Sequence, residues 1–153
     1  MTAPNRRRRR LLSASAGAAT LALAGCLGFF QEDIDFDDDV PEEVQDHLSN
    51  ANGVDGSITD RTGEEEITVG VGPNGNFQFD PALVEVDAGT TITWEWDSSG
   101  HSVTSVSGDQ YDSDDRAAGA TFTHTFDSPG NHLYKCDPHE DTGHLGAVIV
   151  AEE

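Results

Sequence analysis

The sequence predicts an all-β domain, a Greek-key β-sandwich or barrel, preceded by a basic export signal and an acidic tether. Two observations point to the sandwich. From about Glu65 onward apolar residues recur at every second position, and Gly, Pro, Asn and Asp clusters cut the pattern into short runs with no helical periodicity between them. Strands at that spacing have to pair into two sheets, or into one closed sheet, to bury a common face.

Each run supports the same reading. Ile67, Val69 and Val71 alternate, and Pro73-Asn74-Gly75-Asn76 turns the chain. Val84 and Val86 share a face before Asp87-Ala88-Gly89 turns it again. Ile92, Trp94 and Trp96 line one side of the next strand and Thr91, Thr93 and Glu95 the other. Phe122, His124 and Phe126 form a further face, and Asp127-Ser128-Pro129-Gly130 leads into His132 to Cys136. After a polar loop, Leu145 to Val150 closes the pattern.

The charge is divided along the chain. The 153 residues carry 8 Lys+Arg against 29 Asp+Glu, a net charge of -21. Five of the basic residues are the run Arg6 to Arg10, and no acid precedes Glu32. Residues 26–153 keep only Arg61, Arg116 and Lys135 against all 29 acids, a net of -26. Such a body excludes nucleic-acid binding and polybasic docking on lipid, both of which need clustered Lys/Arg. Self-repulsion on this scale is relieved by concentrated salt, so the composition points to a halophilic host.

Residues 1–25 read as the export signal. The arginines are followed by the Ala-rich stretch from Leu11 to Gly25, shorter than the roughly 20 residues that span a bilayer. Arg8-Arg9-Arg10-Leu11-Leu12 resembles a twin-arginine signal, and Leu23-Ala24-Gly25-Cys26 resembles a lipobox, which makes Cys26 the lipidated residue. Residues 26–64 are then a lipid-anchored acidic tether, solvated and extended from Glu32 to Glu43. Pro41, first-turn acids and the spacing of Val40, Val44 and Leu48 predict one short amphipathic helix at about 41–51 within it, with an apolar face suited to docking on the domain. His47 on that helix reads as a solvated side chain. Residues 65–153 form the domain.

The chemistry is concentrated in Cys136-Asp137-Pro138-His139-Glu140-Asp141-Thr142-Gly143-His144, a Cys-x2-His-x4-His pattern running from one strand end to the start of the next strand. His101, in the loop Asp97-Ser98-Ser99-Gly100-His101-Ser102-Val103, is the fourth metal-capable residue, because a sandwich gathers loops at its ends. A thiolate with imidazoles suits copper in both oxidation states, and a Cys/His/His/His set also makes a tetrahedral zinc site. His124 and His132 sit inside strand patterns and read as packed or edge histidines, while Lys135 points outward beside Cys136.

These segments resemble the cupredoxins, the blue copper proteins, and within them plastocyanin and the membrane-anchored halocyanins. The matching stretches are Phe79-Asp80-Pro81, Gly89-Thr90-Thr91-Ile92-Thr93-Trp94, Gly100-His101, Thr125-Phe126-Asp127-Ser128-Pro129-Gly130 and Cys136-x-Pro138-His139. The resemblance implies a cupredoxin fold holding one copper ion, with His101, Cys136 and His139 as in-plane ligands and the backbone N–H of Ser102 donating to the sulfur. The family's weak axial Met falls where this chain has His144, and Met1 is the only methionine. An axial imidazole would draw copper out of the trigonal plane and lower the potential. Alternatively, His144 is a loop residue that does not ligate.

The implied protein is not an enzyme. It is an extracytoplasmic, monomeric one-electron carrier, held on the outer face of the cell membrane through Cys26 and exchanging electrons with membrane redox proteins as donor and acceptor. A non-shuttling Cu(II)/Zn(II)-binding module and an open-site copper enzyme are the alternatives.

Overall fold

A computed structural model describes residues 33–152. The export signal and Cys26 lie outside the described residues. Two sheets face each other. One has the strand order β1-β4-β9-β8-β6, from β1 (Thr59–Asp60), β4 (Leu83–Asp87), β9 (Leu145–Ala151), β8 (Gly130–Lys135) and β6 (Thr104–Ser107). The other has the order β3-β2-β5-β7, from β3 (Phe79–Asp80), β2 (Glu66–Val71), β5 (Thr90–Trp96) and β7 (Thr121–Phe126). Both sheets are mixed: β2 pairs with β5, and β4 with β9, in parallel, while β5–β7 and β8–β9 are antiparallel. The alternation in sequence locates strands but carries no information about the direction of their partners.

The core follows the period of two. Ile67, Val69 and Val71 meet Val84, Val86, Ile92, Trp94, Trp96, Val148 and Val150 between the sheets. Trp94 is fully buried, with the rings of Tyr111, Phe122 and Tyr134 at 5.5–5.8 Å. The unbroken apolar run in β9 has a separate cause. Val148 and Val150 face the partner sheet, whereas Ala147 and Ile149 face outward, under the segment that precedes the sandwich.

That segment differs from an extended tether. α1 (Glu42–Leu48) places Val44 and Leu48 at 0% exposure against Leu83, Leu133, Ala147 and Ile149, with Val40 and Ala51 beside them. Glu42 and Glu43 lie in its first turn, where the helix dipole favours acids. The Asp37 N–H donates to Gly56 O, and Phe36 packs against the same cluster, so an acidic composition still leaves enough apolar side chains to dock. His47 is not a solvated side chain. Its Nε2 donates to the carbonyls of Tyr134 (2.9 Å) and Gly146 (3.1 Å). Among the described residues no helix is long and apolar enough to cross a membrane.

Docking of α1 through Leu48 is testable. Leu48→Ala should cost about 2–5 kcal/mol of stability. Urea unfolding of the two proteins checks this, and a change below about 0.5 kcal/mol, the level of a surface substitution, would show that the helix does not pack there.

Candidate metal centre

At one end of the sandwich β8 stops at Lys135, and the chain passes through Cys136 and a 3-10 turn (Asp137–Thr142) before β9 begins. The turn is closed by its own backbone: Cys136 N–H donates to His144 O (3.0 Å) and His144 N–H to His139 O (3.2 Å). Thr142 Oγ1 also donates to His139 O, at 2.8 Å. The loop after β5 delivers His101 to the same end. Its carbonyl accepts from Trp96 Nε1 (2.8 Å) and from Arg116 N–H (2.9 Å).

His101, Cys136, His139 and His144 therefore converge, each offering one donor atom, with all of these atoms within 4.8 Å of one another. Cys136 Sγ lies 3.9 Å from His101 Nδ1 and 3.5 Å from His139 Nδ1, and the two nitrogens are 3.1 Å apart. Bonds of about 2.0–2.3 Å at trigonal or tetrahedral angles put such donors roughly 3.3–3.8 Å from one another, so these three atoms stand within a few tenths of an ångström of the spacing a single ion needs. Cys136 is a free thiol with 0% exposure, His101 is 2% exposed and His144 0%, while His139 is half-buried.

His144 supplies the sharpest test of fit. Among the described residues neither ring nitrogen has a partner at hydrogen-bond geometry, although the nearby Gln78 backbone favours the protonated ring. A buried imidazole carries one donor and one acceptor, and leaving both unmet is costly. A metal ion among the four side chains would satisfy the acceptor.

The groups around the sulfur are ordered for that role. Ser102 N–H donates to Cys136 Sγ at 3.4 Å, as the family resemblance implies, and Ser102 Oγ accepts from Asp137 N–H at 2.9 Å. A residue that sequence reasoning missed holds His101. Ser98 Oγ donates to Gly72 O (2.7 Å) and stands 2.8 Å from His101 Nε2. Having spent its proton on a carbonyl, the hydroxyl accepts from Nε2–H, which leaves the Nδ1 lone pair facing Cys136. Gly72 (φ 66°) has no side chain for a reason: a Cβ there would run into Ser98 Oγ and His101 Nε2. Phe77, also missed, stacks on His139 with ring centroids 4.1 Å apart and planes at 21°. The only sequence signal for Ser98 is its place in the short polar loop before His101, and Phe77 has none.

The remaining candidates lie elsewhere. His132 is 3% exposed, donates from Nε2 to Ser128 O (2.8 Å) and accepts from Asp109 N–H at Nδ1 (3.0 Å), so it is packed and satisfied. His124 pairs with Asp109 at 2.9 Å. Lys135 reaches out of β8 to Glu140 (2.7 Å) and Asp137 (3.5 Å) on the ligand turn.

Burial sets the titration of the site. It pushes the Cys136 thiol up, against the Ser102 hydrogen bonds, and it pushes His101 down, with His139 adding to the effect. His144 is driven to about 3, first by burial and then by His101 and His139. Cys136, His101 and His144 thus favour their uncharged forms, and metal binding would release the thiol proton.

Two measurements follow. Ser98→Ala should weaken metal binding roughly 10–100-fold while Ser98→Thr retains it, and titration with copper checks this. In metal-free protein the unfolded chain takes up the His144 proton near pH 6.5 but the folded one only near 3. Stability is therefore full above about pH 6.5 and falls toward pH 3 by at most about 1.4 kcal/mol per pH unit from this group. His144→Met should flatten the decline, and an unchanged profile would mean that His144 is not held neutral.

Comparison with known proteins agrees with this geometry. The family described as copper binding proteins, plastocyanin/azurin family, matches residues 65–151. Halocyanin of Natronomonas pharaonis is 42% identical over 158 residues, covering 94% of this chain and 96% of that protein. Among solved structures, a purple cupredoxin from Nitrosopumilus maritimus superposes with TM-score 0.50 at 28% identity, over 55% of this chain and 98% of that one. A copper-containing nitrite reductase from Thermus scotoductus gives TM-score 0.50 at 21% identity, over 57% of this chain but 23% of the enzyme, a likeness of fold alone. With its fold, its donor cluster and its chain-long likeness to halocyanin all in agreement, the chain belongs to the plastocyanin/azurin family of copper-binding proteins.

Proposed function

We propose that this protein is a mono-copper electron carrier, anchored by a lipid on Cys26 to the outer face of the cytoplasmic membrane and passing single electrons between membrane redox proteins. The observation that carries the proposal is the convergent Cys/His/His/His cluster, in which the buried ring nitrogens of His144 make no geometric hydrogen bond among the described residues. Copper bound there supplies a one-electron couple. His101, Cys136 and His139 would hold the ion, with His144 as a fourth donor. Ser98 and Ser102 fix the His101 tautomer and the sulfur, which limits rearrangement when the charge changes. His139, half-buried against the exposed Phe77, is the ligand through which an electron reaches the surface.

The surface constrains the partners. Among the described residues the basic side chains are engaged within the protein: Lys135 by Glu140 and Asp137, Arg61 near Glu64, and Arg116 over Trp96 and Phe122. Lys135 is therefore not a free handle for an acidic partner, and the donor and acceptor present positive faces or meet the protein in concentrated salt. Chain-long likeness to halocyanin supports the membrane location, and the lipobox at Cys26 supports the anchor.

One observation favours a second reading. Three imidazoles and a thiol make as good a tetrahedral zinc or Cu(II) site as an electron-transfer site, which would give a metal-binding module without a shuttle role. An open-site enzyme is disfavoured because His144, with no exposed surface, fills the position that an exchangeable ligand needs.

The absorption and EPR spectra of copper-loaded protein, recorded with its midpoint potential, decide between these. An intense thiolate-to-copper band with reversible one-electron cycling is expected. A weak band with tetragonal EPR, or a preference for zinc, overturns the carrier in favour of the module, and spectra altered by azide or nitrite would point to the enzyme. His144→Met should raise the potential by about 59 mV or more, one decade in Cu(I)/Cu(II) preference, and move the spectrum toward blue. No change in either would mean that His144 is not a ligand. The mass of the mature N-terminus tests lipidation of Cys26.

A further inference from the structure

Two residues of the segment ahead of the sandwich, His47 and Asn52, hydrogen-bond to the loop that carries the candidate ligands and to its flanks. Asn52 Nδ2 donates to Thr142 O and to Phe77 O, both at 2.7 Å, which uses both amide hydrogens on two carbonyls. Asn52 N–H donates to Gly143 O at 2.8 Å. Gly143 (φ 87°) lacks a side chain where this contact demands it, since a Cβ there would collide with Asn50 O. At the roots of the same loop, His47 Nε2–H is shared between Tyr134 O and Gly146 O, each two residues outside a candidate ligand.

We infer that Asn52 and His47 are positioning residues of the metal centre, and that the arm ahead of the sandwich is a working part of the site rather than a spacer. The inference rests on reading the four-donor cluster as the electron-transfer site. Asn52 acts on His139 from two directions. Thr142, which it holds, donates to His139 O, and Phe77, which it also holds, stacks on the His139 ring. Gly143 precedes His144, so the Asn52 backbone bond fixes the step into the axial candidate. Docking alone would not need these bonds, because Val44, Leu48 and Ala51 already supply the apolar contact. The polar bonds instead tie the crown and the roots of a turn that must hold several donors at fixed separations.

The test compares full-length wild type with Asn52→Ala, Asn52→Asp, His47→Ala and His47→Gln. In metal-free protein, Asn52→Ala should speed amide exchange at Gly143 and His144 roughly twentyfold, about fivefold for each lost bond, while amides of β5 and β7 stay unchanged. Asn52→Asp should be worse, because a carboxylate then faces two carbonyl oxygens. In copper-loaded protein, Asn52→Ala and His47→Ala should shift the EPR spectrum and the midpoint potential, and His47→Gln, which keeps a donor, should restore both. Exchange that rises equally across all strands, or potentials and spectra identical to wild type, would overturn the inference and leave the arm a stabilising cover. If wild type shows no one-electron cycling, the carrier reading falls while the exchange measurement still decides the brace.

Discussion

The structure depends on one constraint: a thiol and three imidazoles must be gathered at the end of a sandwich with no counter-charge among them. Three of the four are buried, and each polar atom withdrawn from water needs a partner. Imidazoles this close cannot all be protonated, and burial keeps His101 and His144 below their ordinary values. The backbone has to hold them together before any ion does so. That requirement explains the features around the site: a turn closed between Cys136 and His144, the Trp96 indole on the His101 carbonyl, and the glycines at 72 and 143 where no side chain fits.

The fold and the donors were legible in the sequence for different reasons. Alternation in β2, β5 and β7 reports directly on which residues face the core, and the spacing from Cys136 to His144 is a local signal. His101 could be added because sandwich ends gather loops. What stayed hidden depends on partners distant in sequence. The short strands β1, β3 and β6 carry too few residues to show a period, and the parallel pairing of β2 with β5 is a property of topology. Ser98 became visible as a positioning group only when Gly72 arrived beside it. From the sequence His47 reads as a solvated residue, and the role of Asn52 is invisible, because their acceptors are main-chain carbonyls, which no pattern of side chains announces. In the acidic stretch mean composition predicts solvation, and most of 33–39 is exposed, while the spacing of Val40, Val44 and Leu48 signals the helix that docks.

His144 brings the physical argument to its sharpest point. A thioether in the axial place is a weak neutral donor, whereas an imidazole there is a strong one that copper, as Cu(II), prefers. Burial makes the substitution workable. Held near a pKa of 3, the ring stays unprotonated across ordinary pH, so protons do not compete with the metal for its lone pair. The same burial leaves the His144 ring no exposed surface, so water and exogenous ligands have little access to it. A strong fourth donor would normally let the coordination sphere relax between oxidation states and slow electron exchange. The bonds to His101, to the Cys136 sulfur and to the crown of the turn would oppose that relaxation, so a stronger donor at His144 would be met by a stiffer frame.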